Sequence, residues 1–359
     1  MASRTYVIAE AGVNHDGSIE DACRLIDVAA EAGADCIKFQ TFRAEALTTP
    51  NAEKAEYQKQ MTGVAESQRA MLSRLELSHD AHLVLQNRAR ERGVDMLSTP
   101  FDHVSLAFLV NELKLLRIKV GSGDLTNAPL LLEIGKAQRD VILSTGMATL
   151  GEIEEALSVL TFGFMSTDEA PSRAAFAAVW ADQACREALK SRVVLLHCTT
   201  EYPAPAESVN LRAMDTLVCA FGLQVGYSDH TLGIEASLAA VARGAVMIEK
   251  HLTLDRTRSG PDHAASLEPR QFAALVEGIR VVEKSLGDGR KLPQPAEAKN
   301  IAVARKAVVA ATSIAAGEKF SSVNLTAKRS GLGLPPILLW DLIGLRARRS
   351  YEADEAIEL

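Results

Sequence analysis

Aromatic side chains make up only 5% of these 359 residues, so the stacking platforms on which single-stranded nucleic acids rest are not expected. Positive charge is not in excess either. The 39 Lys and Arg stand against 46 Asp and Glu, a formal charge of −7, which argues against a partner held by counterion release. No uncharged apolar run approaches the roughly 18 residues of a membrane span, and MASRT ahead of Tyr6 is too short for a secretory signal. The five cysteines (Cys23, Cys36, Cys185, Cys198, Cys219) are odd in number and show no CxxC spacing. They read as reduced thiols of a cytoplasmic protein rather than a disulfide framework. A GxGxxG turn after the first apolar segment is also missing, and with it the usual mark of an open dinucleotide-binding sheet.

What is present is a hydrophobic fraction of 47% with 24% charged residues, enough for a sizeable core in one large domain plus a small one. Short apolar segments alternate with amphipathic helical stretches. The predicted strands are 6–12, 36–41, 95–101, 116–123, 140–146, 192–199, 224–229 and 246–253, with a helix at 18–32 and a closing helix from Pro269 to Leu286. Strands apolar on both faces and separated by helices imply a parallel sheet. Eight such units over 281 residues (6–286) are close to the ~250 of a closed (β/α)8 TIM barrel, and that is the fold expected for residues 1–286. Residues 161–191 lengthen one connection and predict an extra helix with a loop on the outside. Residues 287–304 predict a linker and 305–359 a small second domain.

The polar residues at the strand ends are organised by period two, since residues i and i+2 of a strand share a face. In 226–263 this places Ser228 with His230 on one strand and Glu249 with His251 on the next. A lone histidine near a strand end is more often a satisfied core residue, but the pattern recurs. Other strand ends supply Glu10 with Asn14 and His15 beyond, Lys38 and Gln40, Ser98 and Thr99, Lys119 and Ser122, Ser144 and Thr145, and His197 and Thr199. Burying so many charged groups without partners costs several kcal/mol each, and barrel enzymes gather their chemistry at this end of the strands. Lys38, Lys119 and the hydroxyls of Ser122, Ser144 and Ser228 suit a phosphate or phosphorylated carboxylate. Two imidazoles, His230 and His251, suit a divalent metal acting on a carbonyl oxygen. Glu10, Glu249 or Asp262 could carry protons. Together these features predict carbon–carbon bond formation, or its reverse, on a sugar-like substrate.

The segments IAEAGVNHDGS, AGADCIKFQTF, LSTPFD, KVGSGDLTNAPLL, ILSTGM, LLHCTTEYPAP, VGYSDHTLGI, IEKHLTLD and GPDHAASLEP together resemble the sialic acid synthases, which make N-acetylneuraminate, legionaminate and related nonulosonates. They span nearly the whole barrel. RKAVVAATSIAAGEKFSSVNLTAKRSGLGLPP resembles the antifreeze-like (SAF) domain these enzymes carry. The resemblance implies condensation of phosphoenolpyruvate with an N-acylated mannosamine-type sugar, releasing phosphate by C–O cleavage. By position it assigns His230 and His251 to Mn²⁺ or Mg²⁺, and Lys38, Lys119, Ser122, Ser144 and Ser228 to phosphoenolpyruvate. Glu10, Gln40, Glu249 and Asp262 fall to the sugar and to proton transfer, with Thr99 and Tyr202 bordering the substrates. It also implies a domain-swapped homodimer in which Arg329 reaches the partner's barrel. Where many N-acetylneuraminate-forming members have Asn after HCT, this chain has Thr200, a pattern more like the N,N′-diacetyllegionaminate-forming members. Two other readings stand beside this one: a Schiff-base aldolase using Lys38, Lys119 or Lys250 with free pyruvate, and a non-catalytic sugar-binding protein.

Overall fold

Eight short strands form one parallel sheet in a computed structural model that describes residues 4–56, 58–59, 66–166, 168–331 and 333–358. They are β1 Tyr6–Gly12, β2 Cys36–Thr41, β3 Asp95–Pro100, β4 Arg117–Val120, β5 Asp140–Ser144, β6 Val193–Cys198, β7 Gln224–Asp229 and β8 Met247–His251. The hydrogen-bonded order is β3-β2-β1-β8-β7-β6-β5-β4. First and last strands therefore pair directly, while β3 and β4 lie side by side without a ladder. This is a nearly closed (β/α)8 barrel, as the alternation of strands and helices predicts.

Side-chain parity splits the barrel into an outer and an inner set. Outward-facing Val7, Ala9, Ile37, Phe39, Ile118, Val120, Leu143, Leu195, Val225 and Ile248 are buried against the helices. The inward set begins with a plug of Ile8, Cys36, Leu97, Ile142, Leu196 and Met247. Two residues further along the same strands stand Glu10, Lys38, Thr99, Ser144, Cys198 and Glu249. An apolar floor thus carries a polar layer directly above it.

Local signals set the helices. The Ser18 hydroxyl accepts from the Asp21 amide and starts helix Ile19–Glu31. Helix His79–Arg92 opens on Ser78 and closes on Gly93 at φ 69°, the left-handed position that glycine takes without strain. The closing helix runs Pro269–Leu286. The connection between β5 and β6 differs from expectation: after helix Leu150–Met165 it holds two further helices, Arg173–Ala181 and Gln183–Leu189, rather than one. Asp182, in extended conformation, ends the first and accepts from the Ala184 amide to cap the second. The fourth strand is also shorter than read, because Ser122–Asp124 turn into a 3₁₀ helix. Of the polar region between β2 and β3, residues 57 and 60–65 lie outside the described residues.

The chain divides into two compact units, Met1–Asp288 and Gly289–Leu359. The second is built on its own small core of Val308, Ala310, Ile314, Phe320, Leu325, Leu342, Ala347, Tyr351 and Ile357. Its antiparallel pair is β9 Ala307–Ala310 and β10 Leu325–Lys328. The stretch read as linker contains a helix, Ala298–Ala304. Among the described residues no helix is long and apolar enough to cross a membrane.

Candidate active site

A cavity of about 360 Å³ opens at the C-terminal end of the barrel strands and gathers Glu10, Lys38, Gln40, Thr99, Lys119, Ser122, Ser144, Tyr202, Ser228, His230, Glu249, His251 and Asp262. Two larger clefts, one of about 530 Å³ among the outer helices and one of about 700 Å³ at the barrel's other end, collect no comparable set of groups. Strand register explains the gathering. Glu10 pairs with Lys38 of β2 and His251 of β8, Gln40 with Thr99, and Ser228 with Glu249.

Two ammonium groups and two carboxylates form the centre. Lys38 Nζ lies 2.7 Å from Glu10 Oε2 and 3.8 Å from Glu249 Oε2, and donates to Thr99 Oγ1 at 3.3 Å. Lys119 Nζ donates to Ser144 Oγ at 2.7 Å and stands 3.5 Å from Glu249 Oε1. The Ser228 hydroxyl donates to Glu249 Oε1 at 2.9 Å. Burial pushes the Glu10 carboxyl up to about 7, against the opposing charge of Lys38. Burial acts the same way on Glu249, but Lys119, Lys38 and the Ser228 hydroxyl outweigh it and hold the group at about 2. Asp262 is raised to about 6 by burial. One carboxylate is therefore a fixed anion, while two others are poised near neutrality, the separation that lets neighbouring acids take different tasks.

The two imidazoles meet with ring centroids 5.6 Å apart. His230 Nδ1 is 2.6 Å from the Thr199 carbonyl oxygen. A carbonyl only accepts, so the proton sits on Nδ1 and Nε2 presents a lone pair. His251 Nδ1 is buried without a hydrogen-bond partner and lies 3.9 Å from Asp262 Oδ2. Burial lowers His230 to about 4 and takes His251 well below its ordinary value, so both rings are neutral, the form a metal ligand requires. Tyr202 packs its ring on both, 4.2 Å from His230 and 5.6 Å from His251. Among the described residues no group of three or more His, Cys, Asp or Glu is arranged to hold a metal. The pair fits as two protein ligands whose remaining positions would fall to water or substrate.

Residues 25–291 match the NeuB family and residues 305–358 the SAF domain. The chain belongs to the NeuB family. It is 47% identical to the N,N′-diacetyllegionaminic acid synthase of Campylobacter jejuni, covering 99% of each chain. To the enzyme of the same name in Legionella pneumophila it is 38% identical, over 97% of this chain and 92% of the other. The crystal structure of the N-acetylneuraminic acid (sialic acid) synthetase of Leptospira borgpetersenii superposes with a TM-score of 0.67 at 33% identity. That match covers 83% of this chain and 90% of the other.

Within this NeuB barrel some strand-end residues named from sequence face elsewhere. His197 points outward, its Nε2 2.6 Å from the Val209 carbonyl and its ring against Tyr227, and Thr199 donates to Ser208 O. On β6 the inward parity belongs to Leu196 and Cys198, with Thr200 beyond. Ser98 bonds Thr41 behind the wall, Thr145 donates to Leu196 O, and Asn14 ties to Leu252 O and Ser266 Oγ. His15 is buried and accepts from the Gly17 amide. Lys250 has no part in the cavity: fully buried on the outward face, it pairs with Asp229 at 3.0 Å, so the aldolase reading loses that lysine. Arg329 lies exposed in the second unit.

The cavity also holds residues the strand pattern missed. Cys198 touches Ser122 at 3.1 Å, and Thr200 Oγ1 is buried without a partner. Leu47, Thr48, Gln68, Met71 and Leu72, after β2, also line it. The i, i+2 rule would have found Cys198. No local signal brings Leu47, Thr48, Gln68, Met71 and Leu72 to the barrel mouth.

Proposed function

We propose that this NeuB-family chain condenses phosphoenolpyruvate with an N-acylated mannosamine-type sugar, giving a nine-carbon 2-keto acid and phosphate. The observation that carries this reading is the meeting of Lys38, Lys119, Ser122, Ser144 and Ser228 with His230 and His251 in one cavity. Lys38 and Lys119 hold the anion as point charges, and the serine hydroxyls orient it. C3 of the enol attacks the aldehyde carbon while water adds at C2, and the tetrahedral adduct expels phosphate by C–O cleavage. Glu10 and Asp262, with pKa values of about 7 and about 6, take the proton of the attacking water and deliver one to the new alkoxide. Glu249 stays ionised and fixes both lysines and Ser228. His230 and His251 would hold Mn²⁺ or Mg²⁺, which when bound supplies Lewis-acid polarisation of the aldehyde. Gln40, Thr99 and Tyr202 border the substrates.

Residues 1–286 form the catalytic domain in this reading, 287–304 the connection and 305–359 the antifreeze-like domain. Two such chains make a domain-swapped homodimer in which Arg329 holds the N-acyl group in the partner's barrel. Residues 289–359 carry 11 Lys and Arg against 7 Asp and Glu, whereas residues 1–288 carry 28 against 39; the opposite signs favour such docking. Five free thiols suit a cytoplasmic enzyme. The acceptor favoured is 2,4-diacetamido-2,4,6-trideoxymannose, giving N,N′-diacetyllegionaminate, because relatives at 47% and 38% identity bear that name. Phosphate release assayed with this sugar and with N-acetylmannosamine tests it. The expected outcome is a higher kcat/KM for the diacetamido sugar, and no phosphate from either would overturn the reading.

A further inference from the structure

Directly behind the two imidazoles, on the opposite face of β7 and β8, lies an ion pair that the chemistry above does not use. Lys250 Nζ is 3.0 Å from Asp229 Oδ2, and both side chains are 0% exposed. Asp229 and Lys250 are register partners across the two strands. Each also grips Thr231, from opposite ends of that residue's backbone. Asp229 Oδ1 accepts from the Thr231 amide and from its hydroxyl, each at 2.8 Å. Lys250 Nζ donates to the Thr231 carbonyl at 2.6 Å. Asp229 Oδ2 takes a further bond from Ser237 Oγ at 2.6 Å, on the helix that follows.

A fully buried pair of this kind contributes little net stability, because taking two charges out of water offsets most of their attraction; well-packed apolar residues often do as well. Geometry is what it does supply. Asp229 and Thr231 flank His230, so the clamp fixes that backbone, while the Thr199 carbonyl fixes the ring through Nδ1. Lys250 lies between Glu249 and His251, so the same pair also sets how the end of β7 sits against β8. We infer that Asp229 and Lys250 are positioning residues that hold His230 in one tautomer and at one separation from His251, so that the two rings present their lone pairs to a single cation. This inference rests on reading His230 and His251 as metal ligands. It is the outer-shell support whose loss in metal sites typically weakens binding about 10–100-fold.

The test uses the full-length chain with Asp229→Asn and Lys250→Gln together, which removes both charges and retains hydrogen-bonding groups. Manganese binding to the substrate-free protein is measured by calorimetry, and the His230 tautomer by nitrogen-15 NMR of labelled histidine. Wild type is expected to show a single Nδ1–H tautomer. The folded double variant should show mixed tautomers and about 10–100-fold weaker manganese binding, with the KM for phosphoenolpyruvate within about twofold. Wild-type manganese affinity with an unchanged tautomer in the variant overturns the proposal. So does a parallel rise in the KM for phosphoenolpyruvate, which would mean general loosening of the barrel. Should the double variant not fold, Thr231→Val decides: severalfold weaker manganese binding supports the clamp, and unchanged binding overturns it. A wild-type chain that binds no manganese would sink the ligand reading instead, and the tautomer measurement then judges the clamp by itself.

Discussion

At the scale of single residues the site works by pushing like groups apart. Glu10 and Glu249 face the same two lysines, yet burial dominates one and the ammonium groups dominate the other. The carboxyl near neutrality is the one that can give and take a proton within a turnover. The sign of the pH dependence follows. One of Glu10 and Asp262 must be ionised to take a proton and the other protonated to deliver one, so kcat/KM should rise as pH passes about 6 and fall as it passes about 7. Glu10→Gln should lower kcat by about 10²–10⁴ and leave only the Asp262 inflection, near about 6. Phosphate release across that pH range checks both statements. A full inflection near 7 surviving in the variant would remove Glu10 from the proton path. Lysine and glutamate placed two residues beyond an apolar strand body were legible as site residues because the pleat repeats every two positions. His197 misled for the same reason: its chemistry suggested a site, but its parity belongs to the outer face, where Val209 and Tyr227 occupy it.

Elements were legible where a periodic pattern ran between strong stops, as in Ile19–Glu31 and Pro269–Leu286. They were less so where tertiary packing decides. Asp182 divides the added helices by serving both as an end and as a cap, a double role that no periodicity announces. The Asp229–Lys250 pair was invisible for a related reason, since only the pairing of β7 with β8 brings the two together. Helix packing in the outer layer makes its own demand. Helices Ala128–Lys136 and Leu150–Met165 approach so closely that a Cβ on Gly163 would lie 2.8 Å from Gly135 Cα and 2.8 Å from Leu132 O. Gly163→Ala should therefore destabilise the barrel by about 1–3 kcal/mol through overpacking. A urea unfolding midpoint measures this. An unchanged midpoint would show that the helices part without cost.

For the molecule as a whole, the sharpest consequence of the proposed assembly is complementation. Lys119→Met disables a chain's own barrel and Arg329→Ala the residue it lends, so each homodimer should be nearly inactive. Mixed and allowed to exchange subunits, the two should recover activity, because a hybrid dimer contains one site with both groups intact. Mixtures that stay silent after verified exchange would place Arg329 outside any shared site. The apolar plug beneath the polar layer has a different consequence. Ile8, Cys36, Leu97, Ile142, Leu196 and Met247 seal the barrel below Lys38 and Ser144, so among the described residues the chamber is a blind alley at that end. Whatever sits on the lysines must go in ahead of whatever sits above it, and an early-arriving sugar bars the way. Initial-rate and product-inhibition patterns should therefore show a compulsory sequence with the enol ester first, and excess sugar should slow the reaction when that ester is scarce.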